Sequence, residues 1–377
     1  MKILGFIWLL VGLFACPVAM AANAEKIPPS HSRSIDDMAA FLNGKSLSKE
    51  DKLWSIQAWM SENMTYDFEK RDKYEQERKR RNRARIEGSS DSQRLSMEVI
   101  AKAAFRSKSG VCEDYVKLFI VLAGKVGVEM FYVSGTTDLG GSHAWCACLL
   151  DSVPYLFDPT WSSGYCDDNY SVYKKCLTTK YFMATPDSFA HSHIPLDPML
   201  QFSDYPLSYD LVPQNRYFNW RDSLALYQQQ DTLAQMQSVY RRALKNGKRN
   251  DVLEGDIYLL KQNISVAKYN SDLRLYNRLA DQVEKTDRQM VELHNMLVDQ
   301  KYVSHNAEGN LRKTLGQMQK VLDDVDAQIP DMGTLSKELV SSYTGLRRTI
   351  AYERKRLSKC SSLLDKRKSD ASRQVKR

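Results

Sequence analysis

Three short segments of the sequence contain residue types that suit nucleophilic catalysis. Cys112 follows a glycine-valine pair, His143 follows two glycines and a serine, and Asp158 precedes a proline. A cysteine thiolate can attack a carbonyl carbon, a histidine can take and return the proton, and a carboxylate can fix the histidine tautomer. These residues therefore predict a triad of Cys112 as nucleophile, His143 as base and Asp158 as orienting group.

The elements predicted around these residues would bring the three side chains together. Cys112 lies where a glycine-broken loop enters a helix, and the amides and dipole of a helix N-terminus favour an anion. His143 opens one predicted strand and Asp158 closes the next, with a turn near 151–153 between them. In an antiparallel pair, the start of one strand lies beside the end of the next. The pattern thus predicts an adjacent imidazole and carboxylate.

The same segments resemble the transglutaminase-like superfamily of papain-fold cysteine enzymes. The resemblance rests on G-V-C-E-D-Y at 110–115, H-A-W at 143–145 and D-P-T-W at 158–161. A downstream block at 181–198 is similar to the kyphoscoliosis-peptidase branch of that superfamily. In all, the resemblance covers roughly residues 35 to 210.

This resemblance implies an α+β fold with a papain-like transglutaminase core, in which a helix packs on an antiparallel sheet. It implies the same roles for Cys112, His143 and Asp158, and an oxyanion held by backbone amides that include the amide of Cys112. Asp114, Val116 and Cys146 stand where the family usually has other residues. The departure at Asp114 matters most, because a carboxylate near the nucleophile would oppose thiolate formation.

We therefore expect an exported, cysteine-dependent acyl-transfer enzyme that acts on a protein or peptide through a thioester intermediate. The triad is common to peptide hydrolysis, glutamine deamidation and glutamine transamidation, so it does not select among the three reactions. A transglutaminase-like cysteine peptidase is the favoured hypothesis. The alternative is a catalytically inactive transglutaminase-like protein that serves as a binding scaffold, with an oligomerising helical arm.

The composition excludes several other classes of protein. Of 377 residues, 43% are hydrophobic and 27% are charged, which is typical of globular chains and not of disordered, collagen-like or polytopic membrane proteins. The net charge of +8 is mild for this length, and no nucleic-acid partner is predicted. Residues 70–85 contain nine Lys and Arg side chains, which we interpret as a solvated loop or exposed helix rather than a patch for an acidic partner.

The N-terminus has the pattern of a targeting segment. A basic residue precedes an apolar run at 3–14, and small-residue cleavage sites follow, which predicts a signal peptide at 1–21 and an extended linker at 22–33. Export to the periplasm, the cell surface or the medium is therefore predicted. An alternative interpretation is a lipoprotein signal at Cys16, and only that lipidation would place the protein on a membrane.

The remaining cysteines do not predict a metal or cofactor. Cys146 and Cys148 lie two apart on a strand, so they share a face that is opposite to His143. No second pair has zinc spacing. In an exported chain, Cys166 and Cys176 could form a disulfide across a polar loop.

The chain divides into a predicted transglutaminase-like domain at 34–215 and an all-α region at 216–377. Ten of eleven prolines and all six tryptophans lie at or before Trp220. Two heptad seams then predict an antiparallel helical hairpin or coiled coil, with possible self-association or partner binding. The first seam comprises Leu311, Leu315, Met318, Leu322, Val325 and Ile329. The second comprises Leu339, Tyr343, Leu346, Ile350, Glu353, Leu357, Cys360 and Leu364, and a weaker third stripe runs from Leu273 to Leu297.

Overall fold

The computed structural model describes residues 25–87, 96–167, 172–298 and 305–374. The chain forms two compact units, the first ending at Lys261 and the second beginning at Gln262. The predicted signal peptide and Cys16 lie outside the described residues. Among the residues that are described, no helix has the length and apolar composition needed to cross a membrane.

The helices and strands follow the chain in an order that alternates only in its first half. The helices are α1 (Ile35–Asn43), α2 (Lys49–Asn63), α3 (Phe68–Glu87), α4 (Met97–Ser107), α5 (Cys112–Lys125), α6 (Pro186–Ala190), α7 (Trp220–Gln229), α8 (Thr232–Leu244), α9 (Asp251–Val298), α10 (His305–Gln328) and α11 (Val340–Gln374). The strands are β1 (Thr65–Tyr66), β2 (Ser109–Gly110), β3 (Phe131–Thr137), β4 (Ser142–Leu150), β5 (Val153–Phe157), β6 (Gly164–Cys166), β7 (Tyr173–Lys175) and β8 (His193–Pro195).

The first two helices begin at serine caps. Ser34 caps α1 by accepting a hydrogen bond from the amide of Asp37, and Ser48 caps α2 through the amide of Asp51. The basic segment 70–85 lies in α3 and is therefore helical, not a loop.

A four-stranded antiparallel sheet forms the centre of the first unit, in the order β5-β4-β3-β8. On one face, Cys146 and Cys148 of β4 pack with Tyr115 and Phe119 of α5. The opposite face buries Trp145 in a second apolar cluster. Burial on both faces explains why β4 is almost continuously apolar. The predicted α+β class, with a helix on an antiparallel sheet, is confirmed.

The first unit extends further along the chain than the predicted boundary at 215/216. Trp220 and Leu224 of α7 join the apolar cluster that contains Trp145. Leu253 and Ile257 at the start of α9 are buried in a cluster with Ile194. The apolar faces of these later helices therefore complete the core around the sheet, and the division falls after Lys261.

In the second unit, α10 and α11 form the predicted antiparallel hairpin. Arg312 pairs with Asp365 at 2.9 Å, and Arg354 pairs with Asp323 at 2.6 Å, so residue numbers rise along one helix as they fall along the other. Apart from Glu353, the members of both seams are buried or half-buried in one apolar cluster. The third stripe, on α9, contributes to that same cluster.

The third helix of this unit runs parallel to α11. The phenol of Tyr343 donates to the carbonyl of Asp272 at 2.7 Å, and Cys360 Sγ lies 3.9 Å from Met290 Sδ. The offset between partner numbers is nearly constant along the two helices. The seams are thus used for packing within the unit.

Candidate active site

Cys112 is the first residue of α5, directly after the short strand β2. Gly110 is needed in the approach, because a Cβ at that position would lie 2.5 Å from Cβ of Asp114. The Cys112 side chain is partly exposed. The nucleophile predicted from the sequence therefore stands at a helix N-terminus, where unpaired amides and the helix dipole favour an anion.

The carboxylate of Asp114 is used in the local structure of this helix start. Its Oδ2 accepts a hydrogen bond of 2.8 Å from the amide of Val111, and its Oδ1 accepts one of 2.7 Å from Nζ of Lys70. Burial lowers the pKa of Lys70, but the hydrogen bond and charge of Asp114 outweigh burial and raise it. The expected opposition of Asp114 to the thiolate is therefore balanced by a lysine.

His143 and Asp158 meet through the β4–β5 hairpin. The register pairs Cys146 with Phe157, which leaves the start of β4 beside the residue that follows β5. His143 Nε2 lies 2.7 Å from Asp158 Oδ2. The imidazole also stacks on the ring of Trp161, with centroids 5.0 Å apart. The hairpin geometry predicted from the sequence thus produces the expected imidazole–carboxylate pair.

The thiol of Cys112 joins this pair. Burial lowers the pKa of His143, but the charge and hydrogen bond of Asp158, followed by the hydrogen bond and charge of Cys112, raise it to about 10. Since Nε2 is engaged by Asp158, Nδ1 is the ring nitrogen left to face the thiol. The structure therefore brings together all three residues that the sequence singles out.

Asp158 is completely buried and its two oxygens have different partners. Oδ1 accepts hydrogen bonds from the amides of Thr160 and Trp161, at 2.9 and 3.1 Å. Oδ2 accepts from His143 and also from Nε2 of His193, which lies 3.1 Å away. Burial raises the pKa of Asp158, but the charge and hydrogen bond of His143, together with His193, hold it far below its usual range. The carboxylate is thus fixed in position and ionised.

The sequence did not assign a role to two residues at this site. His193 belongs to β8, which reaches the site by pairing with β3. Tyr66 belongs to β1, where it pairs with Gly110 next to the nucleophile. Burial, followed by the charge of Cys112, raises the pKa of Tyr66 above its usual range. The only sequence signal for either residue is its place near a recognisable motif.

His143, Asp158 and His193 also have the donor types that metals use, and their ligand atoms lie within 4.8 Å of one another. Both Nε2 atoms, however, lie at hydrogen-bonding distance from one oxygen of Asp158. These hydrogen bonds account for the cluster, so we assign no metal to it.

The other cysteines of the first unit are not placed for catalysis. Burial raises the pKa of Cys148 to about 12 and that of Cys146 well above its usual value. Cys166 and Cys176 are free thiols. The register pairs Cys166 with Tyr173, three positions before Cys176, a separation of roughly 10 Å along the strand. Because a disulfide needs Cα atoms within about 7 Å, the predicted bridge is wrong.

Comparison with known proteins gives one family. Residues 33–180 match the sequence profile of a transglutaminase-like domain. No curated protein matches the chain.

Two solved structures are similar to part of the chain. A putative cysteine protease from Cytophaga hutchinsonii is 21% identical, with a TM-score of 0.24, and the match covers 36% of this chain and 40% of that one. A TGase is 17% identical, also with a TM-score of 0.24, and the match covers 40% of this chain and 39% of that one. The chain thus spans less than half the length of either neighbour. Residues 33–180 thus form a transglutaminase-like domain.

Proposed function

We propose that the protein is a cysteine-dependent acyl-transfer enzyme whose favoured reaction is hydrolysis of a peptide bond. One observation carries the proposal. The His143 imidazole, 2.7 Å from a buried and ionised carboxylate, also interacts with the thiol of Cys112 at a helix N-terminus. A nucleophile, a base and an orienting group at one site are the minimum set for acyl transfer.

In the first step, the Cys112 thiolate attacks the substrate carbonyl carbon and a C–S bond forms. The carbonyl electrons move to oxygen, where the first amides of α5 can donate to the anion. The C–N bond then breaks, and the leaving amine takes the proton held by His143. A thioester remains on Cys112.

In the second step, His143 takes a proton from water and the resulting hydroxide attacks the thioester. The C–S bond breaks, the acid product leaves and the thiolate is restored with the protonated imidazole beside it. Asp158 keeps its charge throughout, since its role is to hold the Nε2 proton and stabilise the imidazolium. An amine in place of water would give transamidation, and a glutamine side chain in place of the peptide bond would give deamidation.

Thiol labelling tests whether the site is active. Iodoacetamide should label Cys112 faster near neutral pH than Cys176, an exposed free thiol in the same unit that serves as control. His143→Ala should reduce the Cys112 rate and leave the Cys176 rate unchanged. Mass spectrometry of the labelled peptides gives both rates. Equal rates for the two cysteines, unaffected by the substitution, would support the inactive scaffold instead.

Substrate profiling then separates the reactions. We expect peptide mixtures to be cleaved by the wild type and not by Cys112→Ala. Release of ammonia from glutamine peptides, with or without an added amine, would instead identify deamidation or transamidation. Each reaction leaves a different mass change on the peptide.

Export is also proposed, because an apolar run at 3–14 is followed by small-residue cleavage sites. Cleavage after residue 21 predicts a mature chain that begins at Ala22, whereas lipidation predicts a modified N-terminal Cys16. Intact-mass analysis of the exported protein distinguishes the two forms.

A further inference from the structure

His193 lies beside the His143–Asp158 pair, with its ring centroid 5.6 Å from that of His143. Its Nε2 lies 3.1 Å from Oδ2 of Asp158, the same oxygen that accepts from His143. His193 is fully buried, so it does not touch a substrate.

We propose that His193 is a positioning residue for the triad, which shares Oδ2 of Asp158 with His143 and limits how tightly the carboxylate holds the His143 proton. The expected effect on catalysis rests on the proposed function, in which His143 acts as the base. The hydrogen-bond arrangement itself does not depend on that reaction.

The hydrogen bonds determine which ring nitrogen of His193 carries the proton. An ionised carboxylate only accepts hydrogen bonds, so Nε2 of His193 must donate. Nδ1 lies 2.8 Å from the hydroxyl of Ser192, which can donate to it. A neutral imidazole with its proton on Nε2 satisfies both contacts. The chain of donors therefore runs from Ser192 through His193 to Asp158.

The surroundings of His193 keep it neutral. Burial lowers its pKa, and the nearby charge of His143 lowers it further, while Asp158 and Asp138 act in the opposite direction with a smaller total effect. Four aromatic rings, from Phe189, Trp161, Trp145 and Tyr181, surround the imidazole at centroid distances of 3.9, 4.7, 5.0 and 5.7 Å. Two adjacent imidazolium ions would repel, so the proton is left to His143.

A neutral donor on Oδ2 has a direct effect on catalysis. Part of the carboxylate charge is taken up by His193, and less of it is available to hold the proton of His143. That proton must leave for the amine during acylation. Without His193 we expect the imidazolium to hold its proton more firmly and the chemical step to slow.

The test compares His193→Phe, which removes the donor, with His193→Gln, whose amide nitrogen can occupy the place of Nε2. His191→Gln is the matched control, since His191 lies two residues away and is exposed. Histidine NMR in a Cys112→Ala background gives the titration midpoint of His143 without requiring activity. Kinetics in the Cys112 form give kcat and KM.

We expect His193→Phe to raise the His143 midpoint by about one unit, a tenfold change in proton affinity. We expect kcat to fall by about 10- to 100-fold, as for other residues that orient a reacting histidine. KM should stay within about twofold, because His193 does not reach the substrate. His193→Gln should restore the midpoint and most of kcat, and His191→Gln should match the wild type.

The inference would be overturned if the titration midpoint of His143 in the His193→Phe variant equalled that of the wild type. The inference would also be overturned if His193→Gln lowered kcat as much as His193→Phe while both variants kept the wild-type melting temperature. If His193→Phe does not fold, Ser192→Ala decides, because the half-buried hydroxyl supports only the Nδ1 side of the chain. Its His143 midpoint should rise by a smaller amount, and an unchanged midpoint would overturn the proposal. If the wild type hydrolysed no substrate, the proposed function would be rejected. The NMR midpoints would still test whether His193 shares Asp158 with His143.

Discussion

The two units of the protein bury charged side chains in different ways. In the first unit, Asp158 is enclosed by two histidines and two backbone amides, and the imidazole of His143 leads from it to a partly exposed thiol. The second unit buries Glu353, which is 2% exposed, beside Arg356 and Asp287. That cluster lies between α9 and α11.

This difference shows what buried charge can be used for. Burial of a carboxylate is costly unless other groups compensate for the lost hydration. Around Asp158, the compensating groups are titratable and hold a proton where chemistry could use it. Around Glu353, the partner is an arginine that stays charged, so the cluster can specify helix register.

The largest expected effect comes from removing the charge at the centre of the first cluster. Asp158→Asn should lower kcat/KM of the proposed hydrolysis by about 10⁴-fold, because the imidazolium loses its counter-charge and the tautomer is no longer fixed. Steady-state kinetics on a cleaved peptide measures the loss. Asp187→Asn is the control, since Asp187 is exposed on α6. A loss below tenfold would mean that Asp158 does not orient His143.

The second unit should respond to loss of apolar packing instead. Leu322→Ala should lower the free energy of unfolding of the helical unit by about 2–5 kcal/mol, because Leu322 is fully buried in the seam. Val321→Ala on the next, exposed position is the matched control and should change stability by less than about 0.5 kcal/mol. Urea unfolding followed by circular dichroism compares the two variants. Equal effects would mean that the seam does not hold the unit together.

The stability of the first unit should depend on pH through His143. The pKa of His143 rises from 6.5 to about 10 on folding, so its contribution to stability is fully present below about pH 6.5 and is lost as the pH rises through 10. His143→Gln should therefore cost about 1.5–3 kcal/mol at pH 6, and the cost should disappear above pH 10. Urea midpoints of the first unit, measured from pH 6 to 10.5, test this. A cost that is the same at every pH would show that packing, not charge, is lost.

The parts of the site that the sequence predicts are those set by local structure. Asp151 and Ser152 form the tight turn of the β4–β5 hairpin, and both have positive φ, as the preferred two-residue hairpin turn requires. That turn determines the register, and the register places His143 beside Asp158. Helix-start signals determine the position of Cys112 in the same way.

The parts that the sequence does not predict depend on long-range packing. His193 reaches Asp158 through the pairing of β8 with β3. Along the chain, the other strands of the sheet and several loops lie between these two strands. Trp220 lies on an amphipathic helix, and periodicity alone does not tell which core will bury its apolar face. The fold class and the pairing of His143 with Asp158 were therefore accessible from the sequence, whereas the contact of His193 with Asp158 and the packing of Trp220 were not.

The smallest expected effect concerns Asp114, whose carboxylate lies two residues from the nucleophile in the sequence. Its carboxylate caps the amide of Val111 and pairs with Lys70, so little of its charge is left to oppose a thiolate at Cys112. Asp114→Asn keeps an oxygen for the cap and should change the rate of Cys112 alkylation by less than about threefold, and stability by about 1 kcal/mol or less. Alkylation at pH 7 and urea unfolding measure the two effects. Lys70→Met leaves the carboxylate without its counter-charge and should slow alkylation more than Asp114→Asn changes it. A large acceleration in Asp114→Asn would mean that the ion pair does not screen the thiol.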